Sequence, residues 1–132
     1  MRHGPTQHRG RPVTELTSTY TPCEIAGRAA DAIRALNEVT HGGELTSAAD
    51  VRRIVASLEL IGVGLPQLCE QLARFLVIQH EDGQVTQLDG QDADSAVTDV
   101  VEALAAAGQA ADMMTAALTE AHAASASLAS SR

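Results

Sequence analysis

The sequence is poorest in aromatic residues. Tyr20 and Phe75 are the whole set, and there is no tryptophan. Wide ligand pockets are normally walled by aromatic side chains, so a large small-molecule site is not expected. Lysine is also absent, and all nine basic residues are arginine. Residues 1–12 hold Arg2, Arg9 and Arg11 and no acid. Setting those three positive charges apart from the net charge of −8 leaves −11 on the rest of the chain. Such a body repels nucleic acid and anionic membranes. Only two cysteines occur, Cys23 and Cys69, and their separation fits neither a zinc nor a redox motif. Unpaired thiols suit a reducing compartment, so a cytoplasmic location is expected. The N-terminus has basic residues but no apolar core of a signal peptide. No window approaches a run of about 20 strongly apolar residues, so no membrane span is expected.

What the sequence has is small aliphatic residues in helical period. Hydrophobic residues make up 45% of 132 residues, dominated by Ala, Leu, Val and Ile. Residues 1–20 lack an apolar period and read as a flexible basic tail, with residues 21–132 as one helical domain. Val13 fits an alternative GTG start, which would leave residues 1–12 outside the native protein.

The stretch "TPCE" opens a helix over about 22–40. Thr21 is its N-cap, Pro22 takes the first position, and Glu24 completes a capping box. Ile25, Ala29, Ala32, Ile33, Leu36 and Val39 form its apolar stripe, and "HGG" (41–43) ends it. A second helix begins at "TSAAD", where Ser47 and Asp50 have capping-box spacing and Thr46 is an alternative cap, with Val51, Ile54, Val55, Leu58 and Ile61 as its buried face. "GVGLP" (62–66) is expected to end or sharply kink it. A third helix over about 65–81 would bury Leu65, Leu68, Cys69, Leu72, Phe75 and Leu76. "EDG" closes that helix, and residues 84–88 read as loop.

The last helix follows a cluster of Asp89, Asp92 and Asp94, favourably placed at the positive end of its dipole. Its apolar and small residues alternate in steps of three and four: Val97, Val100, Leu104, Ala107, Ala111, Met114, Leu118, Ala121, Ser125 and Leu128. That is a heptad seam. The expected fold is all-α, an elongated antiparallel bundle of three to four helices, with the long last helix against the kinked 47–81 segment and the first helix alongside. From Ala103 to Ser131 only Asp112 and Glu120 are charged, fewer than a solvated helix usually carries. Ala107, Ala111, Met114, Leu118, Ala121, Ser125 and Leu128 are therefore the candidate partner-binding residues. The partner would be a second copy or another helical protein. The competing readings give these residues to the intramolecular seam, or to a frayed, alanine-rich tail kept soluble by Ser and Thr.

Chemistry-bearing patterns are sparse. Cys23 lies in a first helical turn, where backbone N–H groups favour a thiolate, but no histidine or second cysteine adjoins it and Glu24 opposes it. Cys69 sits on an apolar face. The five histidines lack a ligand spacing, so no metal is expected. "DGQDAD" lacks the glycine and later glutamate of a calcium loop. No nucleophile elbow or phosphate-cradling loop occurs, so neither catalytic residues nor a cofactor are assigned and the chain reads as non-enzymatic. "VRRIVASLELIGVGLPQLCEQLARFL" has an outline of a helix-turn-helix with only Arg74 as a base reader. A DNA-associated role would rest on Arg2, Arg9 and Arg11, or on Arg52 and Arg53. A thiol-based redox sensor would rest on Cys23.

Two stretches carry family resemblances. "YTPCE" matches Y-x-x-x-E, resembling the export motif of type VII secretion substrates. In that family the motif follows a helical hairpin with a W-x-G turn; here there is no tryptophan and the motif precedes the first helix. "TPCEIAGRAADAIRALNEVTHGG", "ELTSAADVRRIVASL", "LPQLCEQLARFL" and the alanine-rich last helix together resemble a group of small proteins of high-GC filamentous bacteria. That resemblance spans roughly residues 21–128. It implies an all-helical cytoplasmic protein and brings no activity or functional residue with it.

Overall fold

Thr21 sets the first long helix as the capping box requires. Its hydroxyl accepts from the Glu24 amide at 3.2 Å, and the Glu24 carboxylate accepts from the Thr21 amide at 3.2 Å. The computed structural model describes residues 13–86 and 92–128. Within them lie four helices: α1 (Val13–Thr19), α2 (Pro22–His41), α3 (Ala48–Glu81) and α4 (Ala93–Ser125). No strand occurs among the described residues.

The chain divides into two compact units between Thr46 and Ser47. The first holds α1 and α2. Residues 13–19, expected within a tail, are helical. A seven-residue helix is marginal alone, and the segment is tied down locally. The Tyr20 amide donates to the Leu16 carbonyl at 3.1 Å, and the Arg28 guanidinium stacks 3.7 Å from the Tyr20 ring centroid. α2 ends at Gly42, and Gly43 follows with φ 81°, the left-handed conformation that glycine adopts without steric cost. α2 has no buried residue.

The second unit is an antiparallel hairpin of α3 and α4. Ser47 caps α3 by accepting from the Asp50 amide at 3.3 Å. Of the two outcomes expected at "GVGLP", an end or a kink, the end does not occur: α3 is one helix of 34 residues running through Pro66. A proline inside a helix removes one hydrogen bond and presses on the carbonyl four residues back, at a cost of about 3 kcal/mol. That carbonyl belongs to Gly62, whose missing side chain leaves the local backbone free to adjust. Packing along the whole length of the hairpin offsets the remainder. The turn of a helix-turn-helix is consequently absent, since residues 62–66 are helical. α3 ends at Asp82 and Gly83, the latter with φ 71°. α4 is capped by Asp92, whose carboxylate accepts from the Asp94 amide at 3.1 Å. Asp89 lies outside the described residues.

Candidate functional site

The contacts that join α3 to α4 fix which side of each helix faces the other. His80 bonds to Asp94 near the closed end of the hairpin. Pro66 lies against Gly108. Gly62 lies against Thr115. At the open end, both oxygens of Glu59 are engaged: His122 Nδ1 is 2.6 Å from one, and the Thr119 hydroxyl donates to the other at 3.0 Å. Numbers rise along α3 as they fall along α4, as an antiparallel pair requires.

Two inward lines follow from these contacts. On α3 it is Arg52, Val55, Glu59, Gly62, Pro66, Cys69, Ala73, Leu76 and His80, each at least half-buried. On α4 it is Val97, Val101, Leu104, Gly108, Ala111, Thr115, Leu118, His122 and Ser125, each likewise. The steps alternate four and three in both, the spacing of residues that share one face of a helix. Small residues dominate the middle of this seam. Gly62, Ala73, Gly108 and Ala111 bring the two backbones close, and Val97 and Ala111 are the buried apolar residues of the hairpin.

The sequence pattern is only partly in phase with this seam. Of the residues expected to be buried, Val55, Cys69 and Leu76 lie on the inward line of α3, while Val51, Ile54, Leu58, Ile61, Leu65, Leu68, Leu72 and Phe75 stand one residue before it. One residue is about 100° of rotation. Ile54, Leu58 and Leu65 are half-buried beside the seam, while Val51, Ile61, Leu68, Leu72 and Phe75 are exposed, the last by 63%. On α4 the expected seam divides: Val97, Leu104, Ala111, Leu118 and Ser125 lie on the inward line, while Val100, Ala107, Met114 and Ala121 stand one residue before it. Of the expected partner residues, Ala111, Leu118 and Ser125 turn toward α3. Ala107, Met114 and Ala121 are exposed, and Leu128 is exposed beyond the end of the helix. The candidate set is thus split between the inside of the hairpin and its surface.

These outward stripes meet on one side of the hairpin. In an antiparallel pair, positions rotated the same way from each seam fall on the same side, because reversing one helix also reverses its sense of rotation. The outer stripe of α3 therefore adjoins Ala103, Ala107, Ala110, Met114, Ala117 and Ala121 of α4. Between Ile54 and Phe75 on one helix and Ala96 and Ala121 on the other, this side holds no ionisable residue. The opposite side carries charges of both signs, with Arg53, Glu70, Arg74, Glu102 and Asp112, beside the exposed Leu60 and Val63. There a shallow groove of about 380 Å³ runs between Cys69, Ala73, Leu104 and Gly108, rimmed by Glu70, Gln109 and Asp112. Arg74 pairs with Glu70 at 2.7 Å on that surface.

Other candidate groups are dispersed. Cys23 is exposed in the first turn of α2, and Cys69 is half-buried in the acidic-rimmed groove. Arg53 is exposed and Arg52 half-buried at the start of α3. Arg2, Arg9, Arg11, His3 and His8 lie outside the described residues. No group of three His, Cys, Asp or Glu side chains stands together among the described residues. His80 Nδ1 is enclosed without a hydrogen-bond partner among them, while its other nitrogen holds Asp94. α3 is long and apolar enough to cross a membrane by length and composition.

Sequence reasoning missed Glu59, Thr115, Thr119 and His122 as the polar clasp of the hairpin. The available signal was polar residues in step with Gly62 and Gly108. No protein-family model matches the chain, and neither a curated protein nor a solved structure matches it.

Proposed function

We propose that this chain works by helix-to-helix association with a protein partner in the cytoplasm, without catalysing a reaction. One observation carries the reading. The α3–α4 hairpin closes largely on small residues and leaves several large apolar ones, Ile61, Leu68, Leu72 and Phe75, on the outside. Scattered exposed leucines are ordinary, but a contiguous apolar side without a charge is the signature of an interaction surface. Met114 adds an adaptable side chain to it.

The test is recovery of bound protein from the cells that make this chain, native against the double substitution Leu68→Glu, Leu72→Glu. Both side chains are about half exposed, so helical content by circular dichroism should be retained. Bound protein should fall at least tenfold with the substituted chain. Equal recovery by the two would refute the reading.

A further inference from the structure

We infer that the apolar side of the hairpin is covered by a second copy of this chain, related by a two-fold axis parallel to the helices, to give a four-helix bundle. The inference rests on the association reading above and names its partner.

The first argument is area. The outer stripe of α3, with Val100 and Met114 of α4, puts seven large apolar side chains 41–63% exposed on one side beside the intervening alanines, a patch on the order of several hundred Å². A monomer's largest apolar patch is about 300–600 Å², and a stable dimer buries about 800 Å² per partner. The second argument is shape. The two halves of this side differ in bulk: α3 offers Ile61, Leu68, Leu72 and Phe75, whereas α4 offers Ala103, Ala107, Ala110 and Ala117 around Met114. A two-fold parallel to the helices sets α3 of one copy over α4 of the other, so each large row meets a small row and knobs enter holes. The perpendicular in-plane axis would stack large row on large row and leave a void between the alanine rows.

Charge is the third argument. A chain of net charge −8 repels its own copies, and here the contact is made where neither copy has a charge. Glu70 and Asp112 rim the opposite side, away from the contact. A lipid surface fits less well, since the sequence has no lysine and only Phe75 among the aromatics of this unit, whereas surface-bound helices draw on basic and aromatic flanks.

The experiment uses the full chain with Cys23→Ser and Cys69→Ser. Light scattering at tens of micromolar should give twice the chain mass of 13.7 kDa. Leu68 and Ala107 stand at matching heights, so an equimolar mixture of the Leu68→Cys and Ala107→Cys chains, one carrying a size tag, should oxidise mainly to the mixed disulfide dimer. Either variant alone should cross-link at least fivefold more slowly. Ala107→Arg, which fills a hole on α4 without touching α3's row, should weaken the dimer at least tenfold while helical content is kept. A monomeric mass overturns the inference, as does faster cross-linking of Leu68→Cys with itself. A monomer that still retains a different protein from its own cells refutes the second copy and leaves the association reading standing. A monomer that retains none and floats with phosphatidylcholine vesicles refutes both.

Discussion

Two glycines on the inner seam should respond in opposite directions to the same substitution. In a helix interior, Gly→Ala gains about 1 kcal/mol from backbone propensity alone. At Gly108 an added Cβ would meet Pro66 Cα at 3.6 Å and Pro66 Cβ at 3.8 Å, ordinary van der Waals distances. Gly108→Ala should therefore stabilise the second unit by about 1 kcal/mol or slightly more, the methyl also being buried. At Gly62 the same atom would stand 2.3 Å from Thr115 Oγ1, 3.3 Å from Met114 Cε and 3.4 Å from Thr115 Cβ. Met114 is exposed and can swing away. Thr115 cannot yield without losing its 2.8 Å bond to the Ala111 carbonyl, worth about 0.5–1.5 kcal/mol, and overpacking adds about 1–3 kcal/mol. After the propensity gain, Gly62→Ala should destabilise by about 1–2 kcal/mol. The assay is urea unfolding followed by far-ultraviolet circular dichroism at one fixed chain concentration. The double substitution Gly62→Ala, Thr115→Ala removes the collision and should recover most of the loss, a non-additive result. If Gly62→Ala raised the midpoint as Gly108→Ala does, the register assigned to α3 and α4 would be wrong.

Two further predictions concern polar contacts. Glu59 is held through both oxygens and its side chain is only 20% exposed, so Glu59→Ala should cost about 1–2 kcal/mol. Glu70→Ala, which breaks a well-exposed pair with Arg74, should change urea stability by less than about 0.5 kcal/mol; equal losses would contradict the clasp. In the first unit, the hydrogen bond from the Thr21 amide holds the Glu24 carboxyl below its ordinary pKa, helped by the Thr21 hydroxyl and Arg28 against a slight opposing effect of burial. Because the folded value is the lower one, the cap's contribution is complete above the ordinary carboxyl range and is lost as pH falls through the depressed folded value. The Thr21 amide resonance should titrate with that group, and Glu24→Gln should abolish the titration; an unchanged profile would show that another acid is responsible.

The helix ends were legible because capping chemistry is local. Thr21, Glu24, Ser47, Gly43 and Gly83 all act within a few residues of their own position, and each stands where the sequence pattern puts it; Asp92 is the one of three clustered aspartates that serves as the cap. The continuity of α3 was not legible, because Gly62, Gly64 and Pro66 weaken a helix locally and only contact with α4 compensates. The division of the chain at residue 46 has no strong punctuation either. The phase of the seam misled for a different reason. Reading the largest apolar residues as the buried ones selects Leu68, Leu72 and Phe75 on α3 together with Leu76, which alone of these turns inward. The hairpin gives the middle of its seam to residues that let backbones approach, and it sets Glu59 and His122 against each other nearer the open end.

This inversion bears on how the second unit is stabilised. Complete burial of a large aliphatic or aromatic side chain is worth about 1.5–3 kcal/mol. Ile61, Leu68, Leu72 and Phe75 are 45–63% exposed, so a single copy leaves on the order of 4–5 kcal/mol of their burial unrealised. That compares with a total stability of about 5–15 kcal/mol for an ordinary domain. The inner seam supplies less than a usual core, since no side chain in the described residues is fully buried. A hairpin closed on glycine and alanine thus fixes the relative positions of its two outer rows more than it stabilises itself. On the two-fold arrangement those rows become the core. Folding of the second unit and its pairing are then one linked equilibrium, with stability that rises with chain concentration. The row that carries the apolar surface and the row that receives it lie on different helices of the same chain. The close inner seam is what keeps them in register for the partner copy.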